Sequence, residues 1–259
     1  MLQRWRQIMS EEDIVALTKK LRLTGIPSTL IARLEQAKAA SLAYEELLAI
    51  LFQDEEEARR QQLLARRVKQ ARFEEPKCFE NFELKPYSTQ IIQAIRTLMT
   101  GKFINEKNHI IIMGPVGTGK THLAQALGFL ACQRQKTVCF IRTNELLNHF
   151  HQSRADETWT SLFKRYTKYD VLILDDFGLK ALSPEQSADL YDLIAAVHIN
   201  SMLIITTNRK IEGWMELFYD QVMANAALDR VVNKAYKIIL DGPSYRKKFI
   251  PKFNVEDDK

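Results

Sequence analysis

The chain has 259 residues, 46% of them hydrophobic, with 37 basic and 32 acidic side chains and a formal net charge of +5. That is enough apolar material for one large core plus something small, and the charge excess, which sits mainly after residue 75, fits a nucleic-acid surface without demanding one. No apolar run approaches the roughly 18 residues of a membrane span and none of signal length follows Met1, so a cytoplasmic protein with no membrane partner is expected.

Residues 11 to 72 read as helices. Glu11 to Arg22 carries Ile14, Val15, Leu17 and Leu21 near helical spacing and is expected to end at Gly25, where a left-handed cap costs glycine little. A second helix should begin around Ser28 after Pro27, carrying Leu30, Ile31 and Leu34. Ser41 reads as the N-cap of a third, longer helix, whose apolar half (Leu47, Leu48, Leu51, Phe52) gives way to the charged stretch from Asp54 to Lys69. Such a small unit needs another surface to complete its core. Residues 1–72 are therefore expected to form an all-helical N-terminal adaptor domain that binds a partner, DNA or a neighbouring subunit, with a plain helical cap on the main domain as the alternative. Pro76 stops a helix and the charges around it resist burial, so 73–76 reads as a linker and 77–259 as the second domain.

From there, apolar runs at 109–113, 137–143, 169–174, 202–207 and 236–240 alternate with helical segments. Continuous apolar runs between helices mean strands covered on both faces, a parallel sheet in a three-layer α/β sandwich. Ser183-Pro184-Glu185-Gln186 places an N-cap serine, a first-turn proline and a capping-box Gln ahead of a helix running to about His198. Cys78, Cys132 and Cys139 are odd in number and widely spaced, which supports neither a disulfide framework nor a zinc site.

The stretch Gly114-Pro115-Val116-Gly117-Thr118-Gly119-Lys120-Thr121 directly follows the run at 109–113 and fits G-x-x-x-x-G-K-[ST]. Its glycines permit a tight turn that aims several N–H groups at phosphate oxygens at the start of a helix. Lys120 is placed to reach the β and γ phosphates of ATP, and Thr121 to offer its hydroxyl to Mg²⁺.

Val171 to Leu174 delivers Asp175-Asp176 to the carboxyl end of a strand, the edge where open α/β sheets hold ligands. Asp175 suits the Mg²⁺ bridging the phosphates, and Asp176 suits orienting and deprotonating the attacking water. Asn208 ends the next run with an amide able to hydrogen-bond both the γ phosphate and the water. Arg230, on a short helix beyond it, has the side chain suited to charge on a transferring phosphoryl group.

The order GPVGTGKT, LILDDFG, IITTN, ALDR resembles the AAA+ ATPases, and within them the IstB-type helper ATPases of bacterial insertion sequences and the related DnaC-type helicase loaders. The resemblance covers about residues 77–250. It implies a P-loop AAA+ domain in which Lys120 and Thr121 are the Walker A pair, Asp175 and Asp176 the Walker B pair and Asn208 sensor 1. Arg230 becomes a finger acting on a neighbouring subunit's nucleotide, and Arg246, in Gly242-Pro243-Ser244-Tyr245-Arg246, a further phosphate or intersubunit contact. Most AAA+ proteins carry Glu where Asp176 stands, so slow turnover is expected. Only about 20 residues follow the last strand, leaving little room for a helical lid.

Between the second and third strands, Arg154, Lys164, Arg165 and Lys168 interleave with Trp159, Phe163 and Tyr166, a mixture that binds phosphates and stacks bases. A core-packed helix with a solvated basic face is the competing reading. The resemblance implies an ATPase that forms a homo-oligomer in its ATP state, binds duplex DNA with low sequence specificity and assists a transposase. The alternatives are a loader acting on a replicative helicase in DNA replication and a small-molecule P-loop phosphotransferase.

Overall fold

Ser10 begins the first helix, α1 (Glu11–Lys20), by a reciprocal cap: its hydroxyl accepts the Asp13 amide at 3.1 Å, and the Asp13 carboxylate accepts the Ser10 amide at 3.0 Å. The structure, a computed structural model, describes residues 10–75 and 77–245. The chain divides into two compact units between Arg66 and Arg67.

In the first unit, α1 is followed by α2 (Ile26–Ala40) and by the opening turns of α3 (Tyr44–Ala71). Three details differ from the sequence expectation. The left-handed residue after α1 is Arg22 (φ 58°), and Gly25 instead precedes α2 at φ −82°. Glycine is required there for space, because a Cβ would lie 2.3 Å from the Asp54 carbonyl oxygen. Ser41 ends α2 in the left-handed region (φ 51°) and does not cap α3, whose first turn is instead closed by Glu46 accepting the Ala43 amide at 2.9 Å.

Buried Glu55 caps α2 from α3. Its carboxylate accepts the amides of Thr24, Gly25 and Ile26 at 2.8, 2.7 and 3.3 Å, satisfying donors that a helix start leaves unpaired. Arg33 grips Asp54 with two nitrogens at 2.9 Å. The small core is Ile26, Leu30 and Leu51. Of the apolar half expected on α3, Leu48 and Phe52 are exposed and form a stripe with Tyr44 at four-residue spacing.

The second unit holds a five-stranded parallel sheet: β1 (His109–Met113), β2 (Val138–Arg142), β3 (Val171–Phe177), β4 (Met202–Thr207) and β5 (Ala235–Ile239), in the order β2-β3-β4-β1-β5. Short helices α4 (Thr89–Met99) and α5 (Lys102–Glu106) precede β1. The crossovers are α6 (Lys120–Gln133), α7 (Thr143–Ala155) with α8 (Trp159–Thr167), α9 (Pro184–Asn200) and α10 (Gln221–Val232). Alternate strand residues face opposite layers. Ile111, Leu172, Leu174, Leu203 and Ile205 pack into one core with α7, α9 and α10. Ile173 faces α6, where a Cβ on Gly128 would come within 2.7 Å of it. Ser183 and Gln186 form the expected capping box of α9.

The aromatic residues of α8 pack against the core of the second unit. Trp159 and Phe163 lie against each other with centroids 4.8 Å apart, both rings pack on Phe150, and Tyr166 is buried. Arg154 is committed as well, to Glu185 at 2.7 Å and to the buried Asp189 carboxylate. Lys164, Arg165 and Lys168 remain exposed.

Candidate nucleotide site

β1 ends at the carboxyl edge of the sheet, and the chain there turns through Gly114 to Gly119 into α6. Gly114, Gly117 and Gly119 all have positive φ, at 152°, 84° and 85°. Two of them are also hemmed in by the chain that follows β5. A Cβ on Gly114 would lie 2.2 Å from the Leu240 carbonyl oxygen, and one on Gly117 would lie 2.2 Å from the Ser244 hydroxyl. The Tyr245 amide donates to the Gly117 carbonyl at 2.8 Å, and the Tyr87 hydroxyl to the Thr118 carbonyl at 2.6 Å. The loop is thus pinned from both sides, which preorganises its amides. Buried Lys120 donates to the Pro115 carbonyl at 2.8 Å.

Beside the loop, β3 presents its two carboxylates. Thr121 Oγ1 lies 3.0 and 3.1 Å from the Asp175 oxygens. Asp175 is buried, and that burial pushes its carboxyl above the usual range, against the lowering pull of the Thr206 hydroxyl. A hydroxyl and a carboxylate already in contact are the hard oxygen donors that Mg²⁺ takes when phosphate oxygens complete its shell, so the residues present fit that ion.

Asp176 sits in the left-handed region at φ 55°, where the β3–β4 register shifts between Leu174 and Phe177. Among non-glycine residues, aspartate is one of those enriched at such angles, a backbone reason for Asp in place of the longer Glu. Its amide donates to Thr206 Oγ1 at 3.0 Å.

These groups line a cavity of about 490 Å³ that also takes in Asn208 just beyond β4. Arg230 is not among its lining residues. Its guanidinium lies over the Tyr191 ring, 5.2 Å from the centroid, and donates to the Ala226 carbonyl at 3.1 Å, while Asp229 accepts from Asn233. Arg246 lies outside the described residues.

Several lining residues carry no motif. Phe82 and Tyr87 stack in parallel with centroids 5.7 Å apart, and burial pushes the Tyr87 phenol up to about 12. Arg142, paired in register with Asp175, bonds Glu74 at 2.7 Å. Tyr245 and His122 complete that wall. The two aromatics around Pro86, in a segment without helical or strand period, were the one signal in the sequence for any of them.

A parallel sheet with a phosphate loop after β1, paired acids at the end of β3 and an asparagine just beyond β4, the strand between them, defines an AAA+ ATP-binding fold. The chain belongs to the IstB-like ATP-binding protein family, whose model matches residues 16–252. It is 37% identical to an insertion-sequence ATP-binding protein of Mycobacterium tuberculosis, over 88% of this chain and 91% of the relative. It is 32% identical to the IS232 ATP-binding protein of Bacillus thuringiensis subsp. berliner, over 84% and 86%. Among solved structures, the fold is similar to DnaI (TM-score 0.56, 22% identity, 64% of this chain and 91% of that one) and to the DnaC helicase loader (TM-score 0.54, 19% identity, 64% and 97%).

Proposed function

We propose that this protein hydrolyses ATP with Mg²⁺, assembles as a homo-oligomer on duplex DNA and assists a transposase. The observation that carries the reading is the convergence of Lys120, Thr121, Asp175, Asp176 and Asn208 on one cavity, in a chain whose relatives are ATP-binding proteins of insertion sequences.

In this reading the amides from Gly114 to Thr121, with Pro115, Val116 and Thr118 shaping the turn, cradle the phosphates, and Lys120 leaves the Pro115 carbonyl to meet the β and γ oxygens. Thr121 and Asp175 would hold Mg²⁺, which would supply positive charge against that of the phosphates. Asp176 accepts a proton from the attacking water, and Asn208 orients that water against the γ phosphate. Arg230 stands outside its own cavity, which supports action on a neighbour's nucleotide. The N-terminal helices serve as the adaptor, with the bounds 1–72, 73–76 and 77–259 expected from sequence although the compact units divide at Arg66/Arg67, and the uncovered Tyr44, Leu48 and Phe52 stripe supports a partner-binding role for it.

The test is phosphate release with and without duplex DNA, with mass measured in parallel and ATP present. No release under any condition, or a monomer throughout, sinks the reading. A second reading, a helicase loader, draws on the likeness to the DnaC helicase loader. Capture of a replicative helicase in place of a transposase decides for it.

A further inference from the structure

Arg67 and Lys69, near the end of α3, and Arg72, just past it, share a second concavity of about 350 Å³ with Gln70. Its opposite wall is Thr137 and Val138 at the start of β2 and Tyr169 ahead of β3. All seven residues belong to the second unit. No acidic side chain lines the space, and none of the three cations has an ion pair among the described residues. Asp170, which follows Tyr169, is already engaged: it accepts the Thr137 amide and hydroxyl at 2.8 and 2.7 Å and faces Lys136 at 3.9 Å. Arg165 of α8 adds to the positive field, since it and Arg72 both act on Cys139 and Tyr169.

Three like charges around one hollow repel each other, and without counter-acids the arrangement suits an oxyanion. Two of the three are arginines, whose planar forks match phosphate oxygens. Lys69 and Arg72 are exposed at a helix end, and Arg165, also exposed, shares with Arg72 its influence on Tyr169. Several exposed cations suit successive phosphates of a polymer better than one small anion. We propose that this concavity binds the phosphodiester backbone of duplex DNA; the proposal rests on the DNA-binding reading above. β2 and β3 run from here to Arg142 and Asp175, so the DNA site and the nucleotide site occupy opposite edges of one sheet, about 16 Å apart by strand rise. Both can be filled together.

The experiment is a salt titration of labelled-duplex binding, with a non-hydrolysable ATP analogue, on the full chain and on the triple variant Arg67→Gln/Lys69→Gln/Arg72→Gln. Lys180→Gln, an exposed lysine elsewhere, is the control. The expected result is at least a tenfold loss of affinity and a log–log salt slope flatter by up to about three units per subunit in the triple variant. Its affinity for the ATP analogue should stay within twofold of the parent's, showing that it is folded, and the control should match the parent. A photo-cross-linking residue at Gln70 should then label the duplex. A parent that binds while the triple variant matches it in slope and affinity overturns the site and leaves the DNA reading standing; a parent that binds no duplex overturns both. Inorganic phosphate that displaces duplex from the parent at matched ionic strength, with no such effect on the variant, would assign the hollow to free phosphate and overturn the nucleic-acid proposal.

Discussion

Thr206 donates its hydroxyl to Asp175 Oδ1 at 2.5 Å, and Thr206 Oγ1 in turn accepts the Asp176 amide at 3.0 Å. One fully buried hydroxyl on β4, the strand that leads into Asn208, therefore contacts both acids of the neighbouring β3. Thr206→Val keeps the shape, removes the donor and leaves a buried carboxylate short of a partner, a loss of about 1–3 kcal/mol. Phosphate release should fall at least tenfold, ATP-analogue affinity should change by less than threefold, and Thr206→Ser should restore most of the rate. Full activity in the valine variant would show that the hydroxyl positions nothing.

Lys120→Ala should abolish tight ATP binding in calorimetry, because a cation leaves the phosphate cradle. Asp176→Asn should bind ATP as the parent does and release phosphate at least a hundredfold more slowly, having lost the base. Equal rates would remove Asp176 from the chemistry.

Arg230→Ala should lose hydrolysis while keeping its own nucleotide affinity, since the arginine stands away from its own cavity. Mixed with Lys120→Ala, it should recover activity at interfaces that pair an intact cavity with an intact arginine. Co-assembly with no recovery at any ratio would argue against action between subunits.

Gly117→Ala places a Cβ against the Ser244 hydroxyl at a φ of 84° that alanine resists. ATP affinity should drop at least tenfold. Adding Ser244→Gly removes the overlap and leaves the backbone strain, so about half of the loss, on a logarithmic scale, should return. Independent, additive effects in the calorimeter would show that the two residues do not meet.

His109 is buried on β1, its Nδ1 accepting the Leu203 amide at 3.0 Å. Burial, reinforced by His198 and Lys234, lowers it from 6.5 to about 4. The unfolded chain takes up this proton near pH 6.5 and the folded one only near 4, so stability present above pH 6.5 is lost as pH falls through that window and is constant below it. The loss reaches about 2 kcal/mol at pH 5 and about 3 kcal/mol in all. His109→Asn keeps an acceptor for the Leu203 amide and cannot titrate. Urea unfolding at pH 7.5 and 5 should show a drop smaller by that amount in the variant; equal drops would place the acid sensitivity elsewhere.

The sheet and the placement of the motif residues were legible where one local pattern sufficed. Ile110 to Ile112 ahead of the glycines, the acids after Leu174 and the Ser183 box each announce themselves within a few residues, and each lies where its pattern requires. Ser41 misled because a serine between two helices can end one or begin the next, and only the backbone angle decides. Trp159 and Phe163 looked like stacking platforms because sequence shows spacing and not which face meets Phe150. Arg142 and Thr206 were hidden for a different reason: their neighbours are set by strand register, between segments dozens of residues apart. Arg67 and Lys69 lay in a charged stretch with nothing in the sequence to place Thr137 and Tyr169 opposite them.

The phosphate loop leaves β1, whose two sheet neighbours are β4 and β5, and it is braced by Leu240, Ser244 and Tyr245. On the ribosome, this loop emerges about 80 residues before β4 and more than a hundred before β5 and the segment that follows it, at synthesis rates of about 5–20 residues per second. A growing chain therefore carries its nucleotide motif for several seconds before those braces exist. A chain stalled before β5 lacks that strand and the Leu240, Ser244 and Tyr245 contacts that brace the loop, so it is expected to hold ATP more weakly than the full chain.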